Sequence, residues 1–473
     1  MSVPKSNPNT ILAIVLTAYF MIVLDLSIVY TGLPEIGVTM ALDPVSLSWV
    51  QNAYLLCFGG FLLLSARLGD AFGRKRIFLV GIMLFTLSSV VIGLSQTAWE
   101  LIAARAVQGI GASILAPTVL SIISATFAEG RERTRALSLY SMVAGFGASL
   151  GLVLGGIFAG LVSWRVGFLI NLPVGIGLWF AVRRVLSETA RTDARFDIPG
   201  AATSTIGSTA LVYGIVNAAA LGFGHPVTLT SFAVAILVLI GFIWIESRAA
   251  APVLPLRLFA SAERSVAYVA RMLVVGSIVA FFFFATQLMQ QVLGFSPLWA
   301  GIGFLPMTIP TFIAALAVPR LAARLGQAGV LVIAIGLLAI GLFLLAQAGP
   351  SANYWTAVSI PMLILGFGNG AILGPLTTFG LRAVEPRDQG AASGMVNVAH
   401  QIGGSLGLSV LVVVFAAAGS SDLVGTALLS HQINMALLGA AAMNLLAIIL
   451  ILVFIAPLQP EFSWLQGHRS RPA

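Results

Sequence analysis

The chain of 473 residues is 59% hydrophobic and 8% charged, with a mean hydropathy of +1.03. A water-soluble domain carries about 25% charged residues, so most of this surface must face lipid, and a soluble enzyme or scaffold is excluded. The net charge is +8, but the basic residues sit in short loops between apolar runs, with no arm or domain to hold a duplex, so nucleic acid is not expected as a partner.

Crossing the hydrocarbon core takes roughly 20 apolar residues per helix. In chain order the apolar runs predict spans at Ile11–Leu33, Leu47–Leu64, Ile77–Leu94, Trp99–Thr118, Leu137–Leu161, Phe168–Leu186, Ala201–Ala220 and Leu229–Ile245. Six more follow at Val266–Met289, Leu298–Val318, Val330–Ala346, Ala357–Phe379, Ala391–Ala417 and Met435–Ile455. The expected fold is therefore an all-α integral membrane bundle of fourteen helices. The first span is too long for a signal-peptide core and carries Asp25, so it is read as retained. Cys57, the single cysteine, lies in an apolar run and reads as a small buried hydrophobe rather than half of a disulfide. The run Phe281–Phe284 encircles a helical turn, which predicts that part of it faces lipid. Glu246 closes the eighth span and reads as an interfacial charge.

Charge gives the bundle a direction. With the N-terminus inside, the cytoplasmic connections hold Arg67, Arg74, Lys75 and Arg76, then Arg131, Arg133 and Arg135, then Arg183, Arg184, Arg191 and Arg195. The same side takes Arg248, Arg257, Arg264, Arg320, Arg324, Arg382 and Arg387, and the tails add Lys5, Arg469 and Arg471. Only Arg105, Arg165 and Arg271 fall elsewhere, so both termini are expected in the cytoplasm of a bacterial cell membrane.

An internal duplication is visible. Ala66–Gly73 resembles Pro319–Gly326 at an offset of 253, Ile114–Pro117 resembles Ile372–Pro375 at 258, and Gly147–Gly151 resembles Gly403–Gly407 at 256. Three matches in one order at a near-constant offset predict two six-helix repeats with the seventh and eighth helices inserted between them. The expected domains are residues 1–186, a linker with the inserted pair over 187–263, and 264–473.

The loop after the second span gathers Arg67, Asp70, Gly73, Arg74 and Lys75. Asp70 is suited to cap a helix or pair with arginine, so the loop could hold two bundles together in one state; a plain positive-inside loop has the same composition. Its run Arg67-Leu-Gly-Asp-Ala-Phe-Gly-Arg-Lys75 resembles the signature loop of the major facilitator superfamily, with Ala66 in place of the usual leading glycine. Three further stretches resemble the fourteen-helix drug:proton antiporter branch of that superfamily. They are Leu24-Asp-Leu-Ser-Ile-Val-Tyr-Thr-Gly-Leu-Pro34, Ala104-Arg-Ala-Val-Gln-Gly-Ile-Gly111, and Gly147-Ala-Ser-Leu-Gly-Leu-Val-Leu-Gly-Gly156, where Leu152 replaces a usual proline. Asp197-Ile-Pro-Gly200 and Pro252-Val-Leu-Pro-Leu-Arg-Leu-Phe259 flank the inserted pair as in that branch, so the resemblance covers essentially the whole chain.

An ionisable residue inside a span is a functional candidate by default. Asp25 and Arg105 both fall roughly 10–12 Å below the external boundary at 1.5 Å per residue, which allows them to share a layer. Proton and substrate would then compete for Asp25 while Arg105 tunes it; the alternative is a permanent ion pair pinning two helices. Gly147, Gly151, Gly155 and Gly156 permit close helix approach, either as a sliding interface or as ordinary packing. Gln108, Gln287, Asn369 and His400 are candidate polar contacts in a substrate cavity, and Arg271 is read chiefly as snorkelling to the interface. No phosphate-cradling GxxxxGK[ST], HExxH, CxxC pair or nucleophile elbow occurs, so neither ATP, a metal nor an enzymatic cofactor is expected.

The resemblance implies a proton-coupled antiporter that exports lipophilic drugs, dyes or antibiotics by alternating access, driven by the proton gradient and acting as a monomer. A dedicated exporter of one natural product fits equally, and Leu152 in place of proline keeps a nutrient symporter as the second reading.

Overall fold

The computed structural model describes residues 7–128, 130–188, 197–249, 252, 254–385 and 388–459, without the side chain of Asp70. No strand occurs among the described residues. The long helices are α1 Pro8–Thr39, α2 Trp49–Phe72, α3 Arg74–Leu94, α4 Ala98–Thr126, α5 Arg131–Leu161, α6 Asn171–Val185, α7 Ile198–Leu221 and α8 Pro226–Arg248. After α9 Ala262–Gln287, the run Leu305–Leu345 divides at Gly326, whose φ of 71° leaves the helical region, into α10 (305–325) and α11 (327–345). The chain ends with α12 Ile360–Gly380, α13 Gln389–Ala417 and α14 Gly425–Phe454.

By length and composition the described residues hold 13 membrane-length segments, one of them the 49-residue Pro297–Leu345. At 1.5 Å per residue such a stretch would exceed 70 Å, over twice the roughly 30 Å of a hydrocarbon core. The break at Gly326 makes it two crossings, which brings the total to the expected fourteen. Most helices outrun their apolar spans because the helix continues into the interface, where capping ends it. Asn7 accepts from the Asn9 N–H with Pro8 at the first turn of α1, and Thr97 with Glu100 closes a reciprocal capping box at the start of α4.

The duplication is physical. Gly73 ends α2 with φ 98°, and Gly326, its repeat partner, breaks the chain with φ 71°; both positions need a left-handed backbone, which glycine adopts without strain. Pro117 and Pro375 are each internal to a helix, α4 and α12. A methyl group on Gly151 of α5 would stand 2.6 Å from Ser27 Cβ and 2.8 Å from the Leu24 carbonyl of α1. In the second repeat, Gly403 and Gly407 of α13 abut Met272 and Gly276 of α9 in the same manner.

The chain separates into two compact units. The first is Met1–Tyr213, Thr230–Val253 and Phe295–Ile302; the second is Gly214–Leu229, Leu254–Gly294 and Gly303–Ala473. Within the first, α7 packs on α2, with Thr205 against Gly60 and Tyr213 tilted over Trp49 at 5.9 Å. Within the second, Arg257 grips Asp388 through two hydrogen bonds of 2.5 and 2.6 Å, joining the segment before α9 to the start of α13.

Two expectations are sharpened. Phe281, Phe283 and Phe284 are at most 1% exposed, because Phe304 and Phe415 pack around the turn at ring distances of 6.0 and 5.4 Å, which leaves Phe282 as the partly exposed member of the run. Glu246, at the end of α8, is 3% exposed, drawn beside Gly200 of α7 and Asp197 just before it.

The glycine contacts in the second unit are backbone against backbone, since a methyl on Gly276 would fall 2.7 Å from Gly407 Cα and 2.8 Å from the Gly403 carbonyl. Gly276→Leu should therefore lower the thermal unfolding midpoint of the detergent-purified protein by the equivalent of about 1–3 kcal/mol or more. Gly336→Leu, where nothing lies within 4 Å of the added carbon, should leave the midpoint near wild type.

Candidate functional site

Five helices of the first unit meet around one buried carboxylate. Asp25, in the apolar middle of α1, accepts from Arg105 Nη1 of α4 at 2.8 Å on Oδ2. Its Oδ1 accepts from Gln108 Nε2 of α4 and from Asn171 Nδ2 of α6, each at 2.8 Å. Both amides also donate to Ser89 Oγ of α3, at 2.8 and 3.2 Å. Asp25 and Asn171 are 1% exposed, and Arg105, Gln108 and Ser89 are fully enclosed.

Arg105 uses four of its five N–H donors. Its Nε donates to the Val50 carbonyl of α2 at 3.0 Å, Nη1 also donates to Gln108 Oε1 at 2.6 Å, and Nη2 reaches Gln51 Oε1 at 3.5 Å. The guanidinium lies 4.3 Å from the centre of the Tyr54 ring and 5.7 Å from that of Phe168, so aromatic faces cover what hydrogen bonds leave. Arg105 and Gln108 are three residues apart and share one helical face, which lets one helix offer both a charge and an amide to α1. Two buried atoms of this cluster, Tyr54 Oη and Gln51 Nε2, have no hydrogen-bond partner.

The structure brings the expected Asp25, Arg105 and Gln108 together, with Gln108 bonded directly to Asp25. Asn171, Ser89, Gln51 and Tyr54 were not nominated. Asn171 carried a usable signal, an amide opening an apolar helix; the others are common polar residues whose importance lies in which way their helices face.

The glycine set of α5 is a docking face. Gly147 meets Phe20 and Val23, Gly151 meets Ser27, and Gly155 meets Ile28 and Thr31, all on α1. Gly156 instead receives the backbone of Pro297 and Leu298, and Gly301 of that same short segment sits on the Leu152 carbonyl. That carbonyl also accepts from Thr31 Oγ1 at 3.2 Å, and α5 runs unbroken through Leu152.

In the charged loop, Asp70 lies in α2 with its side chain outside the described residues. The anion at the start of α3 is Glu188, which accepts from the backbone N–H groups of Lys75 and Arg76 at 3.1 and 3.3 Å, a favourable place for negative charge. Lys75 Nζ donates to the Arg183 carbonyl at 2.9 Å, Arg74 Nη1 to that of Ser121 at 3.3 Å, and Arg67 Nη2 to that of Pro252 at 2.9 Å. A side chain on Gly73 would strike the Glu188 carboxylate.

The remaining candidates belong to the second unit. Gln287 Nε2 donates to the Phe283 carbonyl at 3.3 Å and its Oε1 is buried without a partner. Asn369 Nδ2 reaches Thr311 Oγ1 at 3.5 Å. His400 Nδ1 has no partner. Among the described residues no group of three or more metal-ligating side chains occurs.

Fourteen membrane-length helices in duplicated halves, with charged groups sealed among them, define a polytopic transporter of the secondary type. The family model of the Major Facilitator Superfamily matches residues 15–408, and the chain belongs to that superfamily, in its drug-efflux branch. It is 38% identical over 416 residues to the cephamycin export protein of Amycolatopsis lactamdurans, covering 86% of this chain and 85% of that one. It is 35% identical over 413 residues to the puromycin resistance protein of Streptomyces alboniger, covering 85% and 80%. Among solved structures, the nucleoside transporter NupG shares the fold at a TM-score of 0.65 and 12% identity, over 94% of this chain and 98% of the other.

Removing one member of a buried ion pair costs about 3–5 kcal/mol, because the other charge is left uncompensated. Asp25→Asn should therefore depress the thermal midpoint strongly. The double variant Asp25→Asn with Arg105→Gln should lie closer to wild type than Asp25→Asn alone. Simple addition of the two losses would show that the pair contributes nothing as a pair.

Proposed function

We propose that this protein is a proton-coupled antiporter that exports lipophilic small molecules, of the antibiotic or drug type, by alternating access. Its relatives are named for export of, or resistance to, such compounds, and the charge segregation supports a bacterial cell membrane with both termini cytoplasmic. The proton gradient supplies the energy, the chain acts as a monomer, and neither a cofactor nor a covalent reaction is involved.

The observation that carries the reading is the Asp25 cluster. An ionised Asp25 accepts three donors from two other helices and compensates Arg105. A protonated Asp25 loses that charge, accepts more weakly and acquires a donor that needs an acceptor of its own, while Arg105 is left uncompensated. Protonation thus favours an exchange of partners among α1, α4 and α6. Since α1 rides on the glycine face of α5, it can shift without first creating a cavity. Proton arrival is thereby converted into helix movement, which is what coupling requires.

Everted membrane vesicles test it. Acidifying the lumen should drive accumulation of a lipophilic fluorescent dye with the wild-type protein and not with Asp25→Asn. If Asp25→Asn accumulates dye at the wild-type rate under the same gradient, Asp25 is not the coupling group. If alkalinising the lumen drives uptake instead, the direction of coupling is symport. In an efflux-deficient host, the wild type should raise the tolerated concentration of at least one lipophilic antibiotic, and Asp25→Asn should lose most of that increase.

A further inference from the structure

The second unit contains a buried arginine with no counter-charge among the described residues. Arg271 stands on α9 about 13 Å from its start, at 1.5 Å per residue, and is 7% exposed. Its Nη1 donates to Thr377 Oγ1 of α12 at 3.0 Å, while its Nε is buried with no partner. No carboxylate among the described residues forms an ion pair with it. Thr377 lies near the carbonyl end of α12, but a helix end offsets only a small part of what burying an ion costs. Arginine does not shed its proton in a protein, so the group cannot neutralise itself. Among the described residues no anion offsets its charge.

Helix register brings His400 of α13 to the same place, because Gly403, one turn beyond His400, abuts the backbone of Met272, the neighbour of Arg271. Its Nδ1 lacks a hydrogen-bond partner. Thr377 and His400 are both partly exposed, so the cluster is not wholly enclosed. The guanidinium edge that holds no hydrogen bond, Nε with Nη2, is the side-on fork that matches the two oxygens of a planar or tetrahedral oxyanion.

We propose that Arg271, with Thr377 and His400, receives the acidic head of an amphiphilic substrate, a carboxylate or sulfonate on an otherwise lipophilic molecule. The assignment names the substrate class within the export reading and rests on it. A cationic or wholly neutral drug would leave Arg271 uncompensated and would be the poorer cargo.

The test uses two probes with the same ring system, 1-anilinonaphthalene-8-sulfonate and uncharged N-phenyl-1-naphthylamine, bound to the full-length protein in phosphate-free maltoside detergent. Wild type should prefer the sulfonate by roughly tenfold or more, the scale of a charge-assisted hydrogen bond. Arg271→Gln should abolish that preference while leaving the amine's affinity within about twofold, and Arg271→Lys should retain part of it. Because Arg271→Gln removes an uncompensated buried charge, its thermal midpoint should not fall, which separates lost recognition from lost folding. Thr377→Val, a near-isosteric second variant, should weaken the sulfonate alone. An unchanged preference in Arg271→Gln, or no preference in wild type, overturns the proposal. So does Arg271-dependent displacement of the sulfonate by dioctanoyl phosphatidylglycerol at lower concentration than the probe itself, which would assign the site to a lipid headgroup. Efflux of both probes from cells distinguishes the two levels. Export of the amine without favour for the sulfonate leaves the export reading standing and removes the anion site; export of neither removes the export reading itself.

Discussion

A guanidinium and a carboxylate held 2.8 Å apart in the dry centre of the first unit set the terms for the helices around them. In low dielectric an unmet donor or acceptor is far more costly than in water, so a polar cluster there must be nearly complete. Completion takes groups from five helices: Asp25 on α1, Val50 and Gln51 on α2, Ser89 on α3, Arg105 and Gln108 on α4, and Asn171 on α6. Each contact fixes the rotation of its helix, because a turn of one residue would swing the group by about 100°. The pair therefore specifies an arrangement, whatever its net contribution to stability.

The same helix that carries the carboxylate is bordered on its other side by glycine. Gly147, Gly151 and Gly155 present α5 to α1 as bare backbone along three successive turns. Side chains of α1 fill the notches those glycines leave, Phe20 and Val23 at Gly147 and Thr31 at Gly155, and Tyr19 stacks on Tyr140 of α5 at 3.9 Å. α1 is thus held by directional bonds at Asp25 and by the close packing that small residues permit along α5.

Much of the architecture was readable because bilayers impose one-dimensional rules. Apolar length gives spans, and the left-handed glycines at 73 and 326 could be paired from the repeat alone. Asp25 and Arg105 were legible for the same reason, since charge inside a span stands out. Asn171, Ser89 and Gln51 were not, because an ordinary polar residue in a helix becomes part of a site only through the facing of its neighbours. How few of the four phenylalanines stay exposed, and the burial of Glu246, were hidden for the complementary reason. A rule about lipid exposure assumes a peripheral helix, and α9 is enclosed by its neighbours while the α7–α8 pair buries its own carboxylates.

Comparing the repeats separates what folding demands from what transport demands. The turn glycines, the helix-internal prolines and the small-residue faces recur at offsets of 253 to 258. The ionic residues do not. At those offsets Asp25 corresponds to positions from Ile278 to Phe283, none of them acidic, and Arg105 to positions from Val358 to Leu363, none of them basic. Arg271 in turn corresponds to the uncharged stretch from Ala13 to Ala18. Among the described residues each unit therefore buries one arginine of its own, and only that of the first has an ion-pair partner. The duplicated scaffold thus keeps its backbone devices and diverges at its charges, with an arginine bonded to an acid in the first unit and an arginine bonded to a threonine in the second.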